Sequence, residues 1–168
     1  MAWFKRKSSG DADEESDSSQ GQSDRTAAVD VDEFGRPTTP VSPLGDSERA
    51  QISTCIQELV DAGVDVDDLE SLSHGLDAAY TAWSQTRDAD HSTIVQRYSI
   101  GVGEHLSRHT DLDWSLVSDV FGTDLGLAEG PRGTFVIVPG NIVASRWMRG
   151  ETQWIPDVVG HLVRRREQ

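Results

Sequence analysis

A change in the spacing of apolar residues near residue 110 constrains the fold more than any other feature. Before that point apolar residues recur at helical intervals, and after it they fall in three short runs, "DWSLVSDV", "DLGLAE" and "GTFVIVP". The connecting segments "FGT" and "GPRG" leave no room for a helical crossover, so consecutive strands should pair with each other. The pattern predicts a three-stranded antiparallel meander.

Three helices are predicted before the meander, at roughly 47–62, 67–83 and 90–109. Ser47 is the expected N-cap of the first helix, and Gly63 is placed to end it. The third helix contains Gly101 and Gly103, each of which weakens a helix by about 1 kcal/mol relative to alanine. We therefore expect another element to pack closely against the backbone at these two glycines.

Two further helices are predicted after the meander. "NIVASRWMRG" should be capped by Asn141 and stopped by Gly150, and "IPDVVGHLVRRR" should be entered through Pro156. Three helices, three strands and two helices in this order indicate the α+β class.

The first 45 residues have a different composition from the rest. Residues 8–33 are mostly Ser, Asp, Glu, Gln and Gly, and "RPTTPVSP" follows them. Such a segment cannot bury enough apolar surface to offset an ordering cost of roughly 1–2 kcal/mol per residue. The sequence therefore predicts a disordered, acidic and proline-containing tail over residues 1–45 and a single small domain over residues 46–168.

Two short segments of the tail have a composition of their own. "AWFKRK" is aromatic and basic, which suits contact with a membrane interface, although one such hexamer beside an acidic run would hold only weakly. "VDVDEFGRP" contains Phe34 as its only aromatic residue and is a candidate docking peptide. The alternative for both is a plain solvated chain.

The overall charge and the cysteine content exclude several classes of protein. With 29 acidic residues, 15 basic residues and a formal net charge of −14, we expect neither nucleic-acid binding nor stable membrane association. Cys55 is the single cysteine and cannot form an internal disulfide. There is no run of ~20 apolar residues and no apolar segment after the basic start. A cytoplasmic location is therefore predicted.

The segment "SDVFGTDLG" allows two interpretations. Asp119 and Asp124 around Gly122 could be oxygen ligands of a metal loop, but they lack the alternate spacing and the closing Glu of a calcium loop. The hairpin interpretation is favoured because apolar strand residues flank the segment and Gly122 can adopt a positive φ angle.

His105 and His109 are four residues apart on the third predicted helix, a spacing that can chelate a transition metal. An aspartate, Asp111 or Asp113, would have to complete the site. The alternative is that His105 packs against the core while His109 interacts with the helix C-terminal dipole. We favour this alternative and expect no cofactor.

The last third of the chain is rich in Trp and Arg. Arg146, Arg149 and Trp154 are predicted to frame a partner-binding patch, since Trp and Arg dominate interface hot spots. The alternative is that the large aromatic residues belong to the core.

The block from Ile100 to Glu151 resembles the bacterial family of domain of unknown function 3806, in its actinobacterial form. The matching features are a Gly-containing helix, a Trp strand, an acidic-glycine hairpin, a strand ending in Pro and an "RW…GE" helix, at Gly103, Leu106, Trp114, Asp119, Gly122, Pro139, Arg146, Gly150 and Glu151. The resemblance covers roughly residues 65–165 and implies a small α+β domain. It supplies no activity, cofactor or catalytic residue.

The leading functional hypothesis from the sequence is a non-catalytic cytoplasmic interaction module whose partner is another protein. It would bind through a sheet edge or through the Arg/Trp patch. One alternative is a small metal-dependent enzyme that uses His105 and His109. The other is an immunity-type binder of a basic protein, to which the acidic surface would be suited.

Overall fold

The computed structural model describes residues 39–87, 90–119, 122–130 and 133–167. The α+β class predicted from the sequence is confirmed. The predictions for "AWFKRK", "VDVDEFGRP" and the rest of residues 1–38 lie outside the described residues. The elements in chain order are β1 (Val41–Ser42), α1 (Asp46–Asp61), α2 (Leu69–Thr86), α3 (Ser92–His109), β2 (Asp113–Asp119), β3 (Gly122–Ala128), β4 (Val136–Ile137), α4 (Pro139–Arg149) and α5 (Ile155–Arg166).

The sheet is antiparallel, in the order β1-β2-β3-β4, so it has four strands rather than the three predicted. The additional strand is β1, in which Ser42 pairs with Leu116 and the carbonyl of Pro40 accepts a hydrogen bond from Ser118 N at 3.0 Å. The sequence assigned these residues to the tail. A two-residue strand between prolines has no alternating pattern by which it could be recognised, and only its pairing with β2 defines it.

Helix α3 is the central element of the fold. It contacts all four other helices and packs against β2 and β3. A side-chain carbon at Gly101 would lie 2.8 Å from Leu59 Cδ1 and 2.9 Å from Leu72 Cδ2. A side-chain carbon at Gly103 would likewise collide with the ring of Trp114, which lies on the sheet side of α3. The prediction that other elements pack against these glycines is confirmed.

Two of the predicted helix caps are wrong. Ser47 lies inside α1, whose N-cap is Gly45, and its hydroxyl donates to Glu48 Oε1 at 2.8 Å. Asn141 also lies inside its helix, because α4 already starts at Pro139, whose fixed φ angle suits a first helical position. The predicted end of α4 is confirmed, since Gly150 follows it with a φ of 66°.

Candidate functional site

The segment "SDVFGTDLG" forms the β2–β3 hairpin, and the hairpin interpretation is confirmed. Asp119 pairs with Gly122, which has a φ of 144°, and Asp119 Oδ1 accepts a hydrogen bond from Gly122 N at 3.2 Å. Asp124 lies within β3, opposite Val117. The two residues between the strands, 120 and 121, are outside the described part of the chain.

The two histidines of the metal hypothesis lie side by side, with ring centroids 4.3 Å apart. His105 is 5% exposed, and its Nδ1 lies 2.9 Å from the carbonyl oxygen of Val66, to which it donates because a carbonyl can only accept. Burial lowers the pKa of His105, which favours the neutral ring. His109 Nε2 lies 3.3 Å from Asp67 Oδ1.

Of the two aspartates that the metal hypothesis allows, Asp113 begins β2, opposite Ala128, and Asp111 is engaged elsewhere. Asp111 accepts two hydrogen bonds from Arg166, at 2.8 and 2.6 Å, and these bonds hold its pKa below the usual value. Within residues 39–87, 90–119, 122–130 and 133–167, no group of three or more His, Cys, Asp or Glu side chains is arranged to hold a metal ion. His105 and His109 thus have protein partners of their own.

Arg146, Arg149 and Trp154 are brought together, but not as an exposed patch. The guanidinium of Arg146 lies 4.7 Å above the centroid of the Trp154 ring, and Glu151 forms ion pairs with both arginines. Trp154 is only 7% exposed and belongs to the core, as the alternative interpretation expects, and the partner-binding role of these residues stays a prediction. Trp154 directly precedes Ile155, a fully buried residue of α5, and the start of this helix directs both side chains into the core.

A second tryptophan, Trp147 on α4, is surrounded by aromatic rings. Its ring meets Tyr80 edge-on at 4.9 Å, and the ring of His91 is nearly parallel to it at 6.1 Å. The indole nitrogens of Trp147 and Trp154 are buried without a hydrogen-bond partner among the described residues. Each such nitrogen costs roughly 1–3 kcal/mol, which the apolar contacts of these large rings must offset.

A concave surface lies between the β2–β3 hairpin and the helices α3 and α4. It is an open groove of about 600 Å³. Its floor and walls are largely apolar, and its apolar lining comprises Val95, Ile100, Trp114, Leu116, Leu125, Val138, Pro139, Ala144, Trp147 and Met148. Sequence reasoning did not identify this groove. The hairpin register could have indicated one part of it, because Leu116 and Leu125 are directly opposite each other.

The border of the groove combines an exposed apolar side chain with acidic groups. Met148 is 74% exposed, although it belongs to an otherwise amphipathic helix. Glu48 and Asp124 contribute carboxylates, and none of the described lining residues is Lys or Arg. Trp114 is held in the wall by a hydrogen bond from its indole nitrogen to Glu104 Oε2 at 3.1 Å. The described lining of the groove is therefore mainly apolar, with two acidic residues and no Lys or Arg.

Comparisons with family models, with curated proteins and with solved structures find no match to this chain. None of the helices in the described part of the chain combines the length and the hydropathy needed to cross a membrane.

Proposed function

We propose that this protein is a non-catalytic interaction module that binds a segment of a partner protein in the groove between the hairpin and α3/α4. The bound segment would combine large apolar side chains with cationic ones. The observation that carries this proposal is an open, mainly apolar groove whose described lining includes two acidic residues and no Lys or Arg.

The shape and lining of the groove support an apolar ligand. A volume of about 600 Å³ is within the range of typical ligand sites, which are lined mainly by apolar and aromatic side chains. Met148 is exposed at the opening, and methionine is a flexible side chain that adapts to differently shaped partners. Covering Met148 and Leu116 would remove apolar surface from water, which contributes about 25 cal/mol per Å².

The charges support a cationic ligand. Glu48 and Asp124 are the acidic residues of the described lining, and the whole chain has a formal net charge of −14. An acidic surface accelerates association with basic partners and disfavours acidic ones. An immunity-type binder of a basic protein is a special case of this proposal.

The sheet edges are less suitable for binding a peptide by strand addition. The two outer strands, β1 and β4, have two residues each. So short an edge offers few free backbone groups to an added strand, which relies on main-chain hydrogen bonds for its affinity. We therefore place recognition in the groove.

The cytoplasmic location and the relationship to the domain of unknown function 3806 family are part of the same proposal. The location is supported by the single cysteine, which cannot form an internal disulfide. The family relationship is supported by the motif residues named above.

Fluorescence anisotropy with dye-labelled hexapeptides tests the proposal. One peptide carries two aromatic residues followed by three cationic residues, and its counterpart has Glu in place of the cations. We expect the cationic peptide to bind at least about tenfold more tightly, a difference of about 1.4 kcal/mol.

Two substitutions of exposed apolar residues locate the binding site. Met148→Lys places a cation on the groove and should weaken binding of the cationic peptide, whereas Val60→Lys, at a residue that is 53% exposed and does not line the groove, should not. Equal binding of both peptides, or equal effects of both substitutions, would refute the proposal.

A further inference from the structure

The described chain enters the fold through β1, which pairs with one wall of the groove. Residue 39 is the first described residue, and Ser42, three positions later, pairs with Leu116 in the groove wall. Glu48 and Gln51, at the start of α1, also line the groove. The 38 residues that precede residue 39 thus continue from a strand that is paired with the groove wall, while Thr39 itself is hydrogen-bonded to Gly133, which is not a lining residue.

Within these 38 residues, one segment has the chemistry that the groove should select. Residues 2–7, "AWFKRK", contain Trp3 and Phe4 followed directly by Lys5, Arg6 and Lys7. The aromatic side chains suit the apolar lining, and the three cations suit a lining that has two acidic residues and no Lys or Arg on a chain with a formal net charge of −14. The acidic segment 8–33 between these residues and the fold has no such complementarity to a lining without Lys or Arg.

We propose that residues 2–7 of the same chain occupy the groove and compete with the partner segment for it. This inference rests on the proposed function and adds the regulation of that site. Partner binding then requires that the chain's own segment be displaced. The apparent affinity for the partner is the intrinsic affinity multiplied by the fraction of molecules whose groove is empty.

Distance does not prevent this contact. About 32 residues connect Lys7 to residue 39, and an extended chain of that length spans roughly 100 Å. A domain of about 130 residues has a radius of gyration of about 14 Å, so every part of the groove is within reach. Attachment to the same chain also provides a local concentration of order 1 mM or somewhat below, which suffices for a segment of modest intrinsic affinity.

The full-length chain allows a direct test, because it contains only two methionines, Met1 and Met148. Carbon-13 labelling of the methionine methyl groups gives a separate NMR signal for Met148 on the groove border. A nitroxide spin label is attached to Ala2→Cys in a Cys55→Ala background. A matched control carries the label at Gln20→Cys, within the acidic part.

We expect the label at position 2 to broaden the Met148 signal strongly and the label at position 20 to broaden it less. Trp3→Ala/Phe4→Ala should abolish the effect, and Lys5→Glu/Lys7→Glu should reduce it. These substitutions lie outside the described fold, so their effect does not depend on its stability. If the Met148 signal has the same intensity with the oxidised and with the reduced label at position 2, the inference is overturned.

Dilution distinguishes the source of the segment. Broadening that is independent of protein concentration supports an occupant from the same chain. Broadening that disappears on dilution would assign the segment to a second copy and refute the inference. Equally, if the chain binds anionic lipid vesicles through Trp3 and Phe4 while Met148 is unaffected by the label, the segment belongs to a membrane surface instead.

A synthetic peptide, Ala-Trp-Phe-Lys-Arg-Lys, separates this inference from the proposed function. It should bind the Trp3→Ala/Phe4→Ala chain at least about threefold more tightly than the unaltered chain, because the groove is then vacant. Binding of equal strength to both chains would leave the proposed function intact and refute the competition. If this peptide and the hexapeptide of the previous section bind neither chain, both proposals fail.

Discussion

The indole of Trp114 on β2 occupies the space that a side chain at Gly103 on α3 would need. A carbon atom added at Gly103 would lie 2.6 Å from Trp114 Cζ2 and 3.1 Å from Pro139 Cγ. The ring cannot easily withdraw, because its nitrogen donates to Glu104 Oε2 at 3.1 Å. This contact fixes the distance between the central helix and the sheet, and it also forms one wall of the groove.

Gly103→Ala should therefore destabilise the fold by about 1–3 kcal/mol, the usual cost of overpacking, although alanine is the better helix former by about 1 kcal/mol. Urea unfolding followed by circular dichroism measures the change. Gly140→Ala is the matched control, since nothing lies within 4 Å of an added carbon there. It should be neutral or stabilising, and similar losses in the two variants would contradict the packing argument.

The buried His105 predicts a loss of stability in mild acid. Burial lowers its pKa below the ordinary value of 6.5, so the unfolded chain takes up the proton first as the pH falls. The contribution of His105 to the free energy of unfolding is complete above pH 6.5. It decreases as the pH falls from 6.5 to the pKa of the folded state, and the total loss is about 1.4 kcal/mol for each unit by which folding lowers this pKa.

Unfolding free energies measured from pH 7 to pH 5 test this expectation. His105→Asn, which can still donate to the Val66 carbonyl, should flatten the pH dependence in that window. His109→Asn, at the half-exposed neighbouring ring, is the control. A pH dependence that is unchanged in His105→Asn would show that His105 does not cause it.

Asp77 connects α2 to the loop between α4 and α5, where its Oδ2 accepts a hydrogen bond from Gln153 N at 3.0 Å. Burial raises the pKa of Asp77, and the bond from Gln153 offsets only part of that effect. Asp77→Asn should retain the acceptor without the charge, so its stability at pH 7 should equal or slightly exceed that of the unaltered chain.

Asp77→Ala, in contrast, should lose about 1 kcal/mol, because Gln153 N then lacks its partner. Because the pKa of Asp77 is raised above 3.8 in the folded state, the folded chain binds this proton more tightly than the unfolded chain. As the pH rises from 3.8 through the raised pKa, the folded state loses the proton, and the contribution of Asp77 to the free energy of unfolding falls. Asp77→Asn should lack this decrease. Thermal unfolding at pH 4 and pH 7 measures these differences. Equal losses of stability in Asp77→Asn and Asp77→Ala would contradict the hydrogen bond assigned to Asp77.

Arg166, near the end of α5, holds the start of β2 and the end of β3 together. It donates to Asp111 through two nitrogens, lies 3.0 Å from Glu129 Oε2, and stacks over Phe135 at 4.8 Å. Arg166→Ala should cost about 1 kcal/mol through lost packing and lost ion pairs. Arg166→Lys should recover only part of it, because lysine lacks the two-pronged geometry.

The exposed neighbour Arg165 provides the control for Arg166. Arg165→Ala should change the melting temperature by less than Arg166→Ala, and high salt should narrow the difference between the two variants. A greater loss of melting temperature in Arg165→Ala than in Arg166→Ala would contradict the assignment of the stabilising contacts to Arg166.

The sequence by itself determined the elements that repeat a local pattern. Apolar spacing located the helices and the long hairpin, and glycine chemistry identified the end of α4 and the close approach of other elements to Gly101 and Gly103. These features depend on residues close together in the chain, or on the absence of a side chain, and both can be read without knowing the fold.

Tertiary structure alone decided the features that depend on distant partners. Strand β1 exists because Ser42 meets Leu116, more than seventy positions away, and no local pattern announces so short a strand. Trp154 is buried because α5 directs it into the core, whereas Met148 is exposed because it is rotated about 100° around α4 from the buried Trp147. The groove is likewise formed by side chains from separate elements, and it exists only where the packing of α3 and α4 leaves the hairpin partly uncovered.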